Sequence, residues 1–165
     1  MLACTQIYGY FDGASQVQGT RCGAGGVIFI SPSLNNCWKL NLGVGTNTIA
    51  ELVGLWALLY LARYFGLTHL QVCGDSEVII NWFEGTQCLN VLYLVFWKER
   101  ILKLREDFEL IKVHHIFREF NSEVDGLSNL ALLSEVTCLI WWKMSEGIMG
   151  PVQVFNLSCL NTLTD

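Results

Sequence analysis

The sequence has little charge, no long apolar run and no paired cysteine motif, and each absence excludes a class of protein. Charged residues make up 15% and apolar residues 52% of 165 residues, which argues against disorder and for a chain that buries a core. The longest apolar stretch, residues 52–62, is shorter than the roughly 18 residues that a membrane-spanning helix needs. The seven cysteines include no Cys-x-x-Cys pair, which argues against a zinc site and for a reducing compartment. The amino terminus lacks a basic segment followed by an apolar core, so we expect no signal peptide and an intracellular location, cytoplasmic or nuclear.

Positive charge is scarce and unevenly distributed. The net charge of −5 is unfavourable for a protein that must hold a polyanion unaided. Six of the ten basic residues nevertheless fall in one stretch: Lys98, Arg100, Lys103, Arg105, Lys112 and Arg118. A solvated helix face explains the first four equally well, because Glu99 and Lys103 have the i, i+4 spacing of an exposed ion pair. Both interpretations of this stretch stay open.

Short apolar runs separated by turn residues predict strands in the first part of the chain. Residues 7–11, 25–30 and 37–42 read as three antiparallel strands, with a glycine-rich loop over 13–23 between the first two. Residues 46–48 cap a helix over 49–65, which is apolar nearly all round and ends at Gly66. We predict this helix to be deeply buried.

After residue 48 strands and helices alternate, which favours parallel pairing. The predicted elements are a strand over 69–73, a helix over 76–83, a helix over 91–108, a strand over 110–117 and a helix over 122–133. We therefore expect an α/β fold with a mixed five-stranded sheet, three antiparallel strands followed by parallel βαβ units, covered by helices. The domain is predicted to cover residues 1–135, and residues 136–165 form a tail of uncertain structure.

Four acidic residues stand in local settings that suggest a joint role. Asp12 and Asp75 each follow a predicted strand, whereas Glu51 and Asp125 lie near the start of predicted helices. Ligands of open α/β sheets bind at strand ends, and hard divalent cations prefer oxygen ligands from several elements. The four carboxylates therefore indicate a metal site of the kind that cleaves phosphodiesters. If they converge without cations, at least one should have a raised pKa.

Each acidic residue also has a structural explanation that leaves metal out. Asp12-Gly13 is a common hairpin pair, and Thr48-x-x-Glu51 has the spacing of a capping box. Asp75 or Ser76 can cap the helix that follows, and Asp125 suits the first turn of a helix. Two further signals favour structural roles: the glycines of residues 23–26 suit tight packing between antiparallel strands, and His114 and His115 suit packed or hydrogen-bonded positions in a strand.

Four segments together resemble the type 1 ribonuclease H superfamily, and more narrowly the plant-type ribonuclease H-like domain of retroelement reverse transcriptase polyproteins. The segments are Phe11-Asp12-Gly13-Ala14-Ser15 with Gly23-Ala24-Gly25-Gly26, Thr46-Asn47-Thr48-Ile49-Ala50-Glu51, Gly74-Asp75-Ser76, and Arg118-Glu119-Phe120-Asn121-Ser122-Glu123-Val124-Asp125. They lie within residues 8–133.

The resemblance implies endonucleolytic hydrolysis of the RNA strand of an RNA/DNA hybrid. It implies a site in which Asp12, Glu51, Asp75 and Asp125 bind two Mg²⁺ ions, with Mn²⁺ as a substitute. It further implies substrate contacts by Gly13, Ala14, Ser15, Thr46, Asn47 and Thr48. The expected partners are the hybrid and a reverse transcriptase domain of a larger polyprotein, with no membrane.

The sequence departs from the bacterial pattern in three places. Arg118-Glu119 stands where a histidine-bearing loop is expected, the basic handle is reduced to the helix over 91–108, and Thr48 replaces an asparagine. These departures and the acidic net charge favour an alternative, a catalytically silent ribonuclease H-like module that binds nucleic acid or protein. Retention of all four acidic residues favours the enzyme.

Overall fold

The computed structural model describes residues 6–16, 18–132 and 137–157. Its eight strands are β1 (Tyr8–Gln16), β2 (Arg21–Ser31), β3 (Leu34–Gly43), β4 (His69–Gly74), β5 (Leu110–His115), β6 (Cys138–Ser145), β7 (Ile148–Met149) and β8 (Gln153–Asn156). Its four α-helices are α1 (Asn47–Tyr64), α2 (Glu77–Glu84), α3 (Val95–Arg105) and α4 (Ser122–Ala131), and a 3₁₀ turn at Leu92–Leu94 precedes α3. The strands form one mixed sheet in the order β5-β4-β1-β2-β3-β6-β7, with β8 also on β6. The predicted mixed α/β fold is confirmed, with eight strands where five were expected.

Strand β1 is where the two kinds of pairing meet. It pairs antiparallel with β2 along its whole length and parallel with β4 from Tyr8 to Phe11. The last parallel pair joins Phe11 to Gly74. The residues that follow them in the chain, Asp12 and Asp75, therefore lie at the same edge of the sheet. Asp12 itself lies inside β1 and does not end it, because β1 continues beside β2 after β4 has turned away.

Helix α1 lies at the centre of the fold. The Thr46 hydroxyl accepts a hydrogen bond from the Ile49 N–H at 3.2 Å, which caps the first turn. The helix ends before Gly66, whose φ of +76° suits glycine, and Leu67 N–H donates to the Ala62 carbonyl at 3.0 Å. Eleven residues of α1 are buried, as its apolar sequence predicted. None of the helices in the described ranges is long and apolar enough to span a membrane.

The predicted glycine-rich loop over 13–23 is wrong, because these residues mostly continue the strands. Strand β1 runs to Gln16 and β2 begins at Arg21. A Cβ on Gly13 would lie 2.3 Å from the Ala50 carbonyl carbon, and one on Gly25 would lie 2.6 Å from the Ser128 nitrogen. Gly13 and Gly25 therefore let α1 and α4 lie directly against the sheet. The expected packing between antiparallel strands holds at Gly26, where a Cβ would lie 2.3 Å from the Trp38 ring and 2.4 Å from the Tyr10 carbonyl oxygen.

Residues 138–156 extend the sheet beyond β3. Strand β6 pairs antiparallel with β3 over seven residue pairs, and β7 and β8 pair with β6. Leu139 is fully buried, and Trp141 stacks on Phe155 with ring centroids 6.4 Å apart. The uncertain tail thus contributes three strands, while the predicted domain boundary at residue 135 stays a prediction.

Candidate metal centre

Three of the four predicted acidic residues converge at the edge where β1 and β4 separate. Asp12 of β1, Glu51 of α1 and Asp75 after β4 each offer a carboxylate oxygen, and these three oxygens lie within 4.8 Å of one another. Asp125 of α4 lines the same cavity, which has a volume of about 460 Å³. Strand pairing explains the position of Asp12 and Asp75, and the close approach of α1 at Gly13 explains that of Glu51.

Glu51 follows the first turn of α1 and takes no part in capping the helix. The capping-box interpretation of Thr48 and Glu51 is wrong, because Thr46 caps the helix and its first turn contains no acidic residue. Glu51 Oε2 is buried and has no hydrogen-bond partner among the described residues. An unpaired buried carboxylate oxygen is costly, so this atom is suited to a ligand that the protein itself does not supply.

Two of the converging carboxylates have raised pKa values, as expected for acidic groups that crowd together. Burial raises the pKa of Asp12 to about 7, and the charge of Asp75 adds to this effect. A hydrogen bond from the Gly13 N–H opposes the shift, as does a hydrogen bond with Glu51. Burial, followed by the charge of Asp12, raises the pKa of Glu51 well above its usual value. Without cations, the site therefore retains protons that free carboxylates would release.

Asp125 belongs to the cavity and is more accessible than the buried Asp12. Its carboxyl is hydrogen-bonded with that of Asp12, and its Oδ1 lies 3.9 Å from the Arg118 guanidinium. Arg118 is 80% exposed and is the one basic residue among the described residues that line the cavity. Within α4, Ser128 Oγ and Asn129 Nδ2 donate to the Asp125 carbonyl at 2.8 and 2.9 Å.

The remaining structural explanations do not account for the convergence. Asp12-Gly13 lies inside β1, so the hairpin interpretation is wrong. Ser76 occupies the N-cap position of α2 but makes no side-chain capping bond. The two histidines are hydrogen-bonded as expected: His114 Nε2 lies 2.6 Å from Gln71 Oε1, and His115 Nε2 lies 3.2 Å from the Asp75 carbonyl oxygen.

The six predicted substrate-binding residues divide into two groups. Gly13, Asn47 and Thr48 line the acidic cavity. The other three have positions away from its lining: Ala14 is buried in β1, Ser15 Oγ donates to the Gly45 carbonyl at 2.9 Å, and Thr46 caps α1. Their roles with substrate stay predictions.

Sequence reasoning missed two features of the site. Asn121 was given no role, yet it is 1% exposed and its Nδ2 donates to the Phe11 carbonyl at 3.2 Å. The second feature is an apolar wall of the cavity, formed by Val78, Ile79, Leu89, Val91, Tyr93 and Leu94. A buried asparagine in a motif signals a required hydrogen bond, whereas nothing in the sequence connects the wall residues to the acidic residues.

The donor set fits a hard divalent cation. Carboxylate oxygens from several elements converge, and the buried Glu51 Oε2 is unpartnered within the described chain. Mg²⁺ and Mn²⁺ prefer such oxygen ligands, and either cation would offset the crowded negative charge.

The sequence is similar to two ribonuclease H proteins. A family model described as "Reverse transcriptase-like" matches residues 10–131. Ribonuclease HI of Halobacterium salinarum is 28% identical over 128 residues, which cover 77% of this chain and 64% of that protein. A putative ribonuclease H protein of Arabidopsis thaliana is 29% identical over 126 residues, which cover 73% of this chain and 19% of that protein. The chain thus spans less than two thirds of the length of these relatives.

Solved structures give the same fold. The crystal structure of ribonuclease H1 from Halobacterium salinarum matches with a TM-score of 0.70 at 27% identity, covering 78% of this chain and 98% of that one. The N-terminal ribonuclease H domain of a Mycobacterium tuberculosis protein, solved as a fusion with maltose-binding protein, matches with a TM-score of 0.70 at 25% identity, covering 77% and 93%. Since the family model spans most of the sequence, the chain belongs to the reverse transcriptase-like family, within the ribonuclease H superfamily.

Proposed function

We propose that this protein is a metal-dependent endoribonuclease that hydrolyses the RNA strand of RNA/DNA hybrids, leaving a 5′-phosphate and a 3′-hydroxyl. The observation that carries the proposal is the convergence of carboxylate oxygens of Asp12, Glu51 and Asp75 within 4.8 Å, with Asp125 in the same cavity. A solved relative, LC11-RNase H1, was determined in complex with an RNA/DNA hybrid; at 24% identity and a TM-score of 0.70, it supports the fold.

In this proposal the four acidic residues hold two Mg²⁺ ions, which Mn²⁺ can replace. When bound there, the ions would provide a hydroxide nucleophile and offset the charge on the leaving oxygen. Asp12 is 3% exposed and is hydrogen-bonded with both Glu51 and Asp125, so its carboxylate would be a central ligand of the bound metal. Asp125 is partly exposed on the side of Arg118, so that ligand faces the entering substrate.

The residues around the acidic cavity suit recognition of hybrid shape. Asn47 and Thr48 at the start of α1 line the cavity, and their side chains can hydrogen-bond 2′-hydroxyls in the wide minor groove of a hybrid. The Arg118 guanidinium can bind a phosphate beside Asp125. These contacts carry little base information, so we propose low sequence preference.

The alternative, a silent ribonuclease H-like module, is favoured by how the protein uses its basic residues. Lys98 donates to the Leu89 carbonyl and Arg105 donates to the Phe83 carbonyl, so both hold α3 to neighbouring segments. These internal bonds leave fewer cations for a polyanion in a chain of net charge −5.

The deciding experiment incubates the purified protein with labelled RNA/DNA hybrid, duplex RNA and duplex DNA, with Mg²⁺, with Mn²⁺ and with EDTA. We expect metal-dependent cleavage of the RNA strand of the hybrid alone. Asp12→Asn should reduce the rate by about 10³-fold or more, since several kcal/mol of transition-state stabilisation is lost. Glu84→Gln removes one charge from the exposed end of α2 and should leave the rate unchanged.

Three results would decide against the enzyme or its mechanism. Undiminished cleavage by Asp12→Asn would contradict the two-metal mechanism. Hybrid binding without cleavage under either metal would support the silent module. Equal cleavage of all three duplexes would contradict hybrid specificity.

A further inference from the structure

A second cleft lies between α1 and α3 and shares no lining residue with the acidic cavity. It has a volume of about 370 Å³ and is lined by Trp56, Tyr60, Arg63, Arg100, Lys103, Leu104, Glu106 and Asp107. Arg63 lies twelve residues after Glu51 on α1, which is about 18 Å along a helix. At its nearer end the cleft begins at Trp56, five residues or about 7.5 Å along α1 from Glu51, so the cleft and the acidic cavity are distinct but lie on the same helix.

Three of the chain's ten basic residues meet in this cleft. Residues 56, 60 and 63 share one face of α1, and residues 100, 103 and 104 share one face of α3, since both sets have i, i+3 and i, i+4 spacing. The lining carries three positive and two negative charges, which gives a local excess of one positive charge in an acidic protein. Asp107 is already paired with Arg63 at 3.2 Å.

Arg100 is the residue that points to a ligand. Its guanidinium lies 4.0 Å from the Phe96 ring centroid, and its Nε is buried without a hydrogen-bond partner in the part of the chain that the structure describes. A buried donor without an acceptor is costly. The Glu99–Lys103 ion pair that a solvated helix face would carry is not formed among the described residues, so Lys103 also has no carboxylate within ion-pair distance there.

We propose that this cleft binds a small phosphate-bearing anion through Arg63, Arg100 and Lys103. Guanidinium groups match phosphate oxygens with paired N–H donors, and lysine adds a point charge. The second guanidinium of the set, Arg63, has five N–H donors and is largely exposed, so pairing with Asp107 leaves donors available. Tyr60, which stacks on the buried Trp56 with ring centroids 5.1 Å apart, forms an aromatic edge of the cleft that suits a ligand carrying a ring.

The test is isothermal titration of the full chain with inorganic phosphate, in EDTA and at constant ionic strength, so that the metal centre does not contribute. We expect saturable binding, which Arg100→Ala and Lys103→Ala each weaken by at least tenfold. Arg100→Lys keeps the charge but loses the Nε donor, so its affinity should fall between wild type and Arg100→Ala. Lys112→Ala removes one charge from exposed β5 outside the cleft and should change the affinity by less than twofold.

Several outcomes would overturn the proposal. These are the absence of saturable binding in wild type, unchanged affinity in Lys103→Ala, or an equal loss in Lys112→Ala. Lys103 is exposed, so that variant keeps the test valid if Arg100→Ala fails to fold. Titration with adenosine monophosphate and with dimethyl phosphate distinguishes two sources of the phosphate group. Tighter binding of the monophosphate supports a small-molecule ligand. Equal or tighter binding of the diester indicates a nucleic-acid backbone and overturns the proposal.

Discussion

Asn121 donates a hydrogen bond from its side-chain Nδ2 to the carbonyl oxygen of Phe11, 3.2 Å away. This bond joins the turn before α4 to the residue that precedes Asp12, and so it fixes Asp125 relative to the other carboxylates. Asn121 is almost completely buried, so this hydrogen bond lies inside the protein. The relationship explains why an uncharged residue accompanies the acidic residues in the last motif.

Asn121→Leu should lower both stability and cleavage. The variant removes this buried hydrogen bond, which costs about 0.5–1.5 kcal/mol of unfolding free energy. It also releases α4 from β1, so we expect a loss of about tenfold or more in cleavage rate. Urea unfolding and hybrid cleavage measure the two effects, with exposed Asn90→Leu as the control. Wild-type values for both would show that this bond does not position Asp125.

The raised pKa values predict how stability depends on pH when cations are absent. The pKa of Asp12 is about 7 in the folded protein and about 3.8 when unfolded. Between these pH values the folded state binds more protons than the unfolded state. The contribution of Asp12 to the unfolding free energy therefore falls as pH rises from about 4 to 7, by about 4 kcal/mol at most. Urea unfolding in EDTA should therefore show wild type losing stability relative to Asp12→Asn across this window. A wild-type curve parallel to that of Asp12→Asn would contradict the raised pKa.

Divalent cations should reverse that loss. Mg²⁺ binding to the ionised carboxylates stabilises only the folded state, so the melting temperature should rise at pH 7.5 and rise less at pH 5, where protons compete. Differential scanning fluorimetry over a millimolar Mg²⁺ titration measures the effect. Asp12→Asn is the control with a damaged site. A flat titration of wild type at pH 7.5 would count against a metal centre.

Two glycines offer a matched pair of substitutions. Gly13→Ala places a Cβ 2.3 Å from the Ala50 carbonyl carbon, so α1 must move away from β1, and we expect a loss of about 3 kcal/mol or more together with loss of cleavage. Gly126→Ala, inside α4, has no atom within 4 Å of the new Cβ and should gain about 0.5–1 kcal/mol. Urea unfolding measures the unfolding free energy of both variants. An unchanged value for Gly13→Ala would contradict the close packing of α1 against β1.

Truncation after residue 135 tests the predicted domain boundary. It removes β6, β7 and β8 and with them the buried side chains of Leu139 and Leu157. We expect a folded chain that is less stable by about 3 kcal/mol or more, since a buried leucine alone is worth this order. Cleavage should persist, because none of residues 138–157 lines the acidic cavity. Circular dichroism showing an unfolded chain would place the boundary further on.

The sequence predicted the parts of the fold that local chemistry determines. Thr46 and Gly66 mark the two ends of α1 because a hydroxyl cap and a left-handed glycine act within one turn. The order of strands and helices after residue 48 followed from their alternating patterns. The convergence of the acidic residues was predicted from their positions beside these elements.

Other features depend on contacts between distant residues, which the local pattern does not contain. Gly13 was predicted as a loop residue, yet it lies in β1, where α1 packs directly against it. Strands β6 to β8 have weak patterns of their own and are stabilised by pairing with β3 and by rings such as Tyr64, which contacts Trp141. Asn121 acquires its role only when α4 lies against β1.

The burial of every residue from 52 to 59 in α1 has a consequence for how the protein folds. Over these two turns the helix is apolar all round, so it cannot persist alone in water and must form together with the strands that enclose it. Exchange of its amide hydrogens with deuterated solvent should then require opening of the whole molecule. Glu51 is carried by this helix, so the catalytic pocket we propose would be lost in the same cooperative step as the fold itself.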